Sequence, residues 1–251
     1  MNTVEQSAPS FDVYEHIRQY NRLVGTDISF AFQTIMDASE FEVIGFEALV
    51  RGIRNEPAPQ VMSRINHDQR FDFDQACRIR AIEAAAEFEI DADLHLNATD
   101  IKMSNVDVVV AVTTHLAKRH KIDPERIVLE LNNLGALGGA KPLQKIRDAL
   151  VDAGFRTLAD NFGQRDADLR PLAWFRPHLV KIDHRLVAGI SENPEAQAIV
   201  IGLIQFCKAL DIEAVASGVE TAEEFRWLQE AGLRLFQGFF FAQPEMNASL
   251  S

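Results

Sequence analysis

From Ser29 into the last quarter of the chain, short runs of apolar, β-branched or aromatic residues alternate with longer amphipathic stretches. The runs at 29–37, 41–51, 94–99, 127–132, 156–162, 179–183, 213–219 and 235–242 have strand length and composition. Only Ala38, Ser39 and Glu40 separate the first two, too few for a parallel crossover, so they are expected to form an antiparallel hairpin. The wider gaps carry helical patterns. Residues 72–89 set Ile79, Ile82 and Ala86 on one face. Residues 141–153 do the same with Leu143, Ile146, Leu150 and Ala153, with Pro142 early and Gly154 after the end. Asn193 and Pro194 have the chemistry of a cap and first turn, opening a helix expected to bury Ile199, Leu203, Phe206 and Leu210. Thr221 and Glu224 stand at capping-box spacing.

Eight strands with intervening helices predict an α/β fold, a (β/α)8 TIM-type barrel with an antiparallel first hairpin. An open doubly wound sheet is the minority reading, because no Gly-rich phosphate turn follows the first strand. Residues 1–10 are expected to be a mobile tail and 11–251 a single barrel domain, opened by a helix from Phe11 to Gly25 packed on the barrel.

Composition narrows the function classes. The 251 residues are 47% hydrophobic and 25% charged, the balance of a globular protein, and carry a net charge of −12. That charge argues against a nucleic-acid duplex held by a general basic field, while leaving room for a small anion held by local cations. The two cysteines, Cys77 and Cys207, lie far apart in helical pattern and read as small buried hydrophobes, which suits a reducing, cytoplasmic setting. The N-terminus has no signal-peptide pattern, and the longest apolar stretch, 198–204, is too short to span a bilayer, so no membrane association is expected.

In such barrels chemistry sits at the C-terminal ends of the strands. Polar residues close each run: Glu47 and Arg51, Asn97, Glu130, Asp160 and Asn161, Lys181 and Asp183, Ser217 and Glu220, then Gln237. A single polar residue there is the ordinary way for a strand to leave the core. Glu47 and Glu130, however, lie inside apolar runs, where an unpaired charge is costly and calls for a cation. The oxygen donors Glu47, Asn97, Glu130 and Asp160 suit Mg²⁺ or Mn²⁺ better than zinc. Among the histidines only His95, two positions before Asn97, falls near this ring, with a structural or supporting role. His16, His67, His115 and His120 are expected to face solvent.

The segments FEALVRG, LHLNATD, IVLELNN, LADNFG, LVKIDHRL, VASGVET and LFQGFFFAQP resemble, in order, the signature segments of EAL domains, from about Ser29 to Pro244. The FDFDQACRIRAIEAAA stretch is most similar to the subgroup sometimes attached to blue-light sensing domains, and no such domain is expected within these residues. The resemblance implies a barrel that binds the second messenger cyclic di-GMP and, when active, hydrolyses it to the linear dinucleotide with two divalent metals. It makes Glu47, Asn97, Glu130 and Asp160 metal ligands. It places Glu47, Leu49, Arg51, Asp183 and Gln237 at the ligand, with Arg51 on a phosphate. Lys181 falls near the hydrolytic water, with Glu220 and Gln237 supporting the site.

Departures from the family pattern carry their own expectation. Asn161 stands where a second aspartate is usual, Asn133 where a glutamate anchors the following loop, and Ser217 where a glutamate precedes Gly218. The loop residues Gln164 to Leu169 lack the small, glycine-containing pattern. These changes fall on the second metal, the base and the loop, and Ser217 cannot act as a general base near neutral pH. The expected function is therefore a degenerate EAL domain with little or no phosphodiesterase activity, acting as a cyclic di-GMP sensor or as a regulator that binds a protein partner or a second copy. An active metal-dependent phosphodiesterase is the first alternative. An unrelated metal-dependent barrel enzyme using Lys181 to abstract a proton beside a carboxylate is the second.

Overall fold

A computed structural model describes residues 12–24, 28–163 and 168–246. The expectations for the tail, for Phe11 and Gly25, and for loop residues Gln164 to Ala167 lie outside the described residues.

The chain closes an eight-stranded barrel in sequential order, ringed by helices. Its strands are β1 (Ile28–Asp37), β2 (Glu42–Gly52), β3 (Asp93–Asn97), β4 (Ile127–Leu131), β5 (Arg156–Phe162), β6 (Leu179–Ile182), β7 (Glu213–Ser217) and β8 (Leu235–Gln237). β1 and β2 form the expected antiparallel hairpin, and β1 also closes antiparallel onto β8. Every other neighbouring pair is parallel. The last strand is shorter than its apolar run suggests, because Gly238–Phe241 turns back and Phe240 N–H donates to Val219 O at 3.0 Å.

The helices are α1 (Val13–Val24), α2 (Ala58–Met62), α3 (Arg70–Glu87), α4 (Val106–His120), α5 (Ala140–Asp152), α6 (Arg170–Phe175), α7 (His184–Val187), α8 (Pro194–Leu210) and α9 (Ala222–Glu230). α4 has no counterpart among the expected helices. Its Val-rich start has strand propensity, but packing of Val109, Val112 and Leu116 into the core overrides it. The caps form as the sequence implies: Asn193 accepts from Ala196 N–H at 3.0 Å, and Thr221 and Glu224 complete a capping box. Glu224 additionally accepts from Gly189 N–H at 2.8 Å and Glu220 N–H at 2.9 Å, tying the start of α9 to the turn before α8. Along α8, Leu203 is buried while Phe206 and Leu210 are half-buried. Ile199, expected in the core, is 49% exposed, because the buried side of the helix is set by Val200, Leu203, Ile204 and Cys207.

The barrel interior is layered by the two-residue period of a strand. Ile35, Val128, Leu158, Leu179, Val215 and Leu235 fill one apolar layer inside the barrel. Two residues further along four of these strands, on the same face, come Glu130, Asp160, Lys181 and Gln237. The apolar plug thus forms the floor of a polar layer, and burying each of its large side chains contributes on the order of 1.5–3 kcal/mol.

The exits of β7 and β8 pack backbone to backbone. Val219 N–H donates to Gln237 O at 3.1 Å, and a Cβ at Gly238 would meet the backbone N and O of Val219 well inside contact distance. Gly238→Ala is expected to destabilise the fold by at least ~2 kcal/mol, since the obstacle is backbone and cannot swing aside. Chemical denaturation of the variant against the parent checks this, and an unchanged midpoint would show that the close approach is not obligatory.

Candidate active site

Four of the polar side chains come from the even strands. Lys181 of β6 donates to Glu47 Oε2 at 2.9 Å and to Glu130 Oε1 and Oε2 at 2.8 and 2.9 Å. Gln237 of β8 donates to Glu47 Oε2 at 2.7 Å and to Gln33 Oε1 at 3.3 Å. Glu47, Glu130, Lys181 and Gln237 are all buried, so the network replaces the water these groups lose on folding. His95, on β3, is also buried and contacts Glu130 Oε1 through Nδ1 at 3.0 Å. Burial, then the charge on Lys181, push the His95 imidazole down to about 3, so it stays neutral and donates to Glu130. This is the supporting position expected for it. His16, His115 and His120 are half-buried rather than solvent-facing, and the His115 ring packs edge-on against Tyr14 at 4.7 Å.

One ammonium serves two carboxylates. Burial would raise Glu47, but the Lys181 charge and the hydrogen bonds from Lys181 and Gln237 outweigh it and hold Glu47 down to about 2. Burial and the adjacent Glu47 charge push Glu130 up to about 8 despite the same lysine. Although burial works against its charge, Glu130 and Glu47 hold Lys181 protonated well beyond the ordinary lysine range. Lys181 is therefore held as an ammonium between the two carboxylates.

The odd strands supply the rim. Asn97 on β3 is half-buried, with Nδ2 at 3.5 Å from Glu47 Oε1. Its backbone carbonyl accepts from Arg78 Nη1 at 2.7 Å, and Arg78 is paired at 3.0 Å with Asp74, which also takes Thr99 N–H at 3.1 Å. Asp160 on β5 is half-buried, and burial followed by the charges of Glu130 and Glu47, only partly offset by Lys181, pushes it up to about 7. The next residue, Asn161, adopts left-handed φ of 55° and turns its amide nitrogen onto Asp160 Oδ2 at 2.6 Å and Asn132 Oδ1 at 2.8 Å. Ser217 ends β7 opposite Gln237. Asn133 is exposed and left-handed, opening a 3-10 turn without a side-chain cap bond.

The remaining expected residues are less central. Asp183 is buried at the start of α7, where Oδ1 accepts Arg185 N–H at 2.8 Å and Oδ2 has no hydrogen-bond partner. Arg51 is half-buried and donates to Val50 O at 3.0 Å. Leu49 lines a cavity of 220 Å³ together with Glu47, Asn97 and Asp74. Glu220 is exposed, and its backbone N–H, not its carboxylate, makes the contact to Glu224. Gln33, Asn132 and the Asp74–Arg78 pair were missed as site-building residues. Only the last left a signal, the i, i+4 spacing of an acid and a base on one helix face.

Glu47, Glu130 and Asp160 confront one ammonium, so the layer is short of positive charge, and with the Asn97 amide oxygen they form a donor set that fits a hard divalent cation. Among the described residues no three His, Cys, Asp or Glu side chains already converge as a metal nest. Lys181 lies between two of the acids, and Asp160 is engaged by Asn161.

Residues 18–244 match the EAL domain. The chain belongs to the EAL domain family. A standalone EAL protein from Vibrio cholerae O395, solved in its c-di-GMP-bound form, is 34% identical with a TM-score of 0.82, covering 88% of this chain and 93% of that one. Klebsiella pneumoniae BlrP1, solved with manganese and cyclic di-GMP, is 30% identical with a TM-score of 0.81, covering 89% of this chain and 57% of that one. Among curated relatives, the Escherichia coli blue light- and temperature-regulated antirepressor BluF is 28% identical over 219 residues, which are 87% of this chain and 54% of BluF. The chain thus spans about half of that relative. EAL membership removes the unrelated-barrel alternative. Among the described residues no helix is long and apolar enough to cross a membrane.

The raised carboxyls give the site a pH signature. Glu130 and Asp160 have folded pKa values above the ordinary carboxylate range, so the stability they contribute is fully present below about pH 4 and is lost progressively as pH rises to about 7 to 8. His95, depressed on folding, acts below about pH 6.5 and leaves the upper window clear. In chelator, the melting temperature is expected to fall between about pH 6.5 and 8, and Glu130→Gln is expected to flatten that slope. Parallel slopes for the two proteins would contradict the raised carboxyl.

Proposed function

We propose that this EAL domain binds cyclic di-GMP at the mouth of the barrel with little or no hydrolysis, and so acts as a regulatory module. The observation that carries this reading is the Asn161 amide on Asp160 Oδ2 at 2.6 Å. A neutral donor occupies the position where the family pattern has a second acid, and it engages the carboxylate that a second cation would need.

Glu47, Asn97, Glu130 and Asp160 are the residues that would hold a divalent cation. When bound, it would supply positive charge to a phosphodiester and acidity to water. Mn²⁺ or Mg²⁺ suits these oxygen donors, and BlrP1 has been solved with manganese or calcium beside cyclic di-GMP. Arg51 provides a guanidinium for a phosphate, and the cavity beside Leu49 offers room for one base. The residues expected to serve the hydrolytic water are poorly suited to proton transfer. Lys181 is held as an ammonium, Ser217 is a hydroxyl, and Glu220 is exposed away from the buried network. The balance of retained charge and missing base favours binding over turnover. The name of BluF describes a regulator, which supports the same reading by similarity.

Calorimetric titration with cyclic di-GMP in Mn²⁺ or Ca²⁺ is expected to give saturable binding, while long incubation with Mn²⁺ leaves the cyclic dinucleotide intact. Appearance of the linear dinucleotide at more than a trace would establish the hydrolytic alternative, and absence of heat at high micromolar ligand would leave only a protein partner. Restoring the acids with Asn161→Asp and Ser217→Glu together is expected to raise hydrolysis by at least ~10-fold, since a missing base or second cation each lowers rates by orders of magnitude. Equal activity in parent and double variant would place the defect elsewhere.

A further inference from the structure

β2 and β3 pair at Gly45, Phe46 and Glu47 against Asp93, Leu94 and His95, and then part. The backbone groups of successive strand residues aim alternately at the two neighbouring strands. Ala98 N–H donates to Glu130 O of β4 at 2.9 Å, so the Asn97 carbonyl and the Thr99 N–H aim the other way, into the gap that β2 has left. Backbone groups that lose their ladder partner must find another. Both find it on α3. Arg78 Nη1 donates to Asn97 O at 2.7 Å, and Asp74 Oδ1 accepts from the Thr99 N–H at 3.1 Å and from the Thr99 hydroxyl at 3.0 Å. One helical turn separates the two side chains, which pair with each other at 3.0 Å. The end of β3 is thus held on one side by β4 and on the other by a charged pair reaching in from a helix.

As a source of stability this pair is costly. Arg78 is 2% and Asp74 7% exposed, and among the described residues Arg78 Nε and Nη2 have no hydrogen-bond partner, so the guanidinium loses its hydration in return for the two bonds of Nη1. An apolar pair of like volume is often as stable. What the charged pair adds is position. The Asn97 side chain is loosely held by its own contacts: Nδ2 lies 3.5 Å from Glu47 Oε1, the outer limit of a hydrogen bond, and the residue borders the 220 Å³ cavity that Asp74 and Arg78 also line. Tying down the Asn97 carbonyl and the Thr99 N–H fixes the backbone on both sides of Ala98, and that aims the Asn97 side chain. We infer that Asp74 and Arg78 are positioning residues, a clamp that holds the Asn97 amide over the polar layer where a divalent cation would take its oxygen. The inference rests on the reading above that Asn97 is among the residues that would hold that cation. Groups that orient a metal's ligands govern its affinity by about 10- to 100-fold without touching it.

Asp74→Asn combined with Arg78→Met tests the clamp, because it removes both charges together, keeps an acceptor for Thr99 and breaks the tie to the Asn97 carbonyl. In metal-free, isotope-labelled protein the Asn97 side-chain amide, assigned by its loss in Asn97→Asp, is expected to give one sharp pair of proton signals in the parent. In the double variant that pair is expected to shift and broaden while the Asn193 amide stays in place. Titration calorimetry with Mn²⁺ alone is expected to show affinity at least ~10-fold weaker in the double variant, and within about 3-fold of the parent in Arg78→Lys, whose ammonium can still donate to the carbonyl. A merely structural pair would lower the melting temperature and leave the Asn97 signals and the Mn²⁺ affinity of the folded protein where they were. Should the double variant not fold, Arg78→Gln carries the same test, since it leaves Asp74 its bonds to Thr99 and is too short to reach the Asn97 carbonyl. Unmoved Asn97 signals, or parental Mn²⁺ affinity in a folded variant lacking the tie, overturn the proposal. A parent that binds no Mn²⁺ at millimolar concentration overturns the cation reading instead, and the amide signals, which need no metal, decide the clamp.

Discussion

The Lys181 ammonium, shared between Glu47 and Glu130, is the interaction on which the interior of the barrel depends. Glu47, Glu130, Lys181 and Gln237 come from β2, β4, β6 and β8, the alternate-strand layer that in this fold is ordinarily filled by branched apolar side chains. Here the layer is charged, and it is sound only while its groups satisfy one another. Removing the lysine would leave two buried carboxylates over an apolar floor without their shared counter-charge.

The even-strand residues of the polar layer are buried, whereas its odd-strand members, Asn97, Asp160 and Ser217, are only half-buried. The even layer is complete: its carboxylates are paired, its lysine protonated, and His95 braces Glu130 from the side. The departures from the family pattern, Asn161 and Ser217, lie on β5 and β7, and Asn133 lies in the turn after β4. A substitution in the even layer would cost stability, because every member there is buried against another charge. A substitution at the rim carries little structural penalty, since Asn161 and Asn133 are exposed. The fold therefore tolerates substitution at the rim more readily than in the even layer.

Much of this was legible from the residues. Period-two alternation located the strands and, through the polar residues closing them, the ring; cap chemistry at Asn193 and at Thr221 with Glu224 located two helix starts. Where the reading missed, a physical competitor had won. The aromatic run after Gln237 looked like a longer strand, but contact with Val219 turns it back. Val-rich α4 was not singled out as a helix, and core packing by Val109, Val112 and Leu116 makes it one. Gln33 and Asn132 gave no local sign of their role, because each matters only through a partner far away in sequence.

What the sequence determined by itself was the set of elements, the barrel they imply, and the inventory of acids, amides and one lysine at the strand ends, all of which rest on short-range periodicity. The tertiary structure decided which charges meet. It brought Lys181 to Glu47 across 134 residues, turned Asn161 onto its neighbour Asp160, left Glu220 outside the network, and put Ile199 and Ile201 on an uncovered face of α8. Pairing energies, burial and shifted pKa values depend on distance in space, and no spacing along the chain encodes that distance.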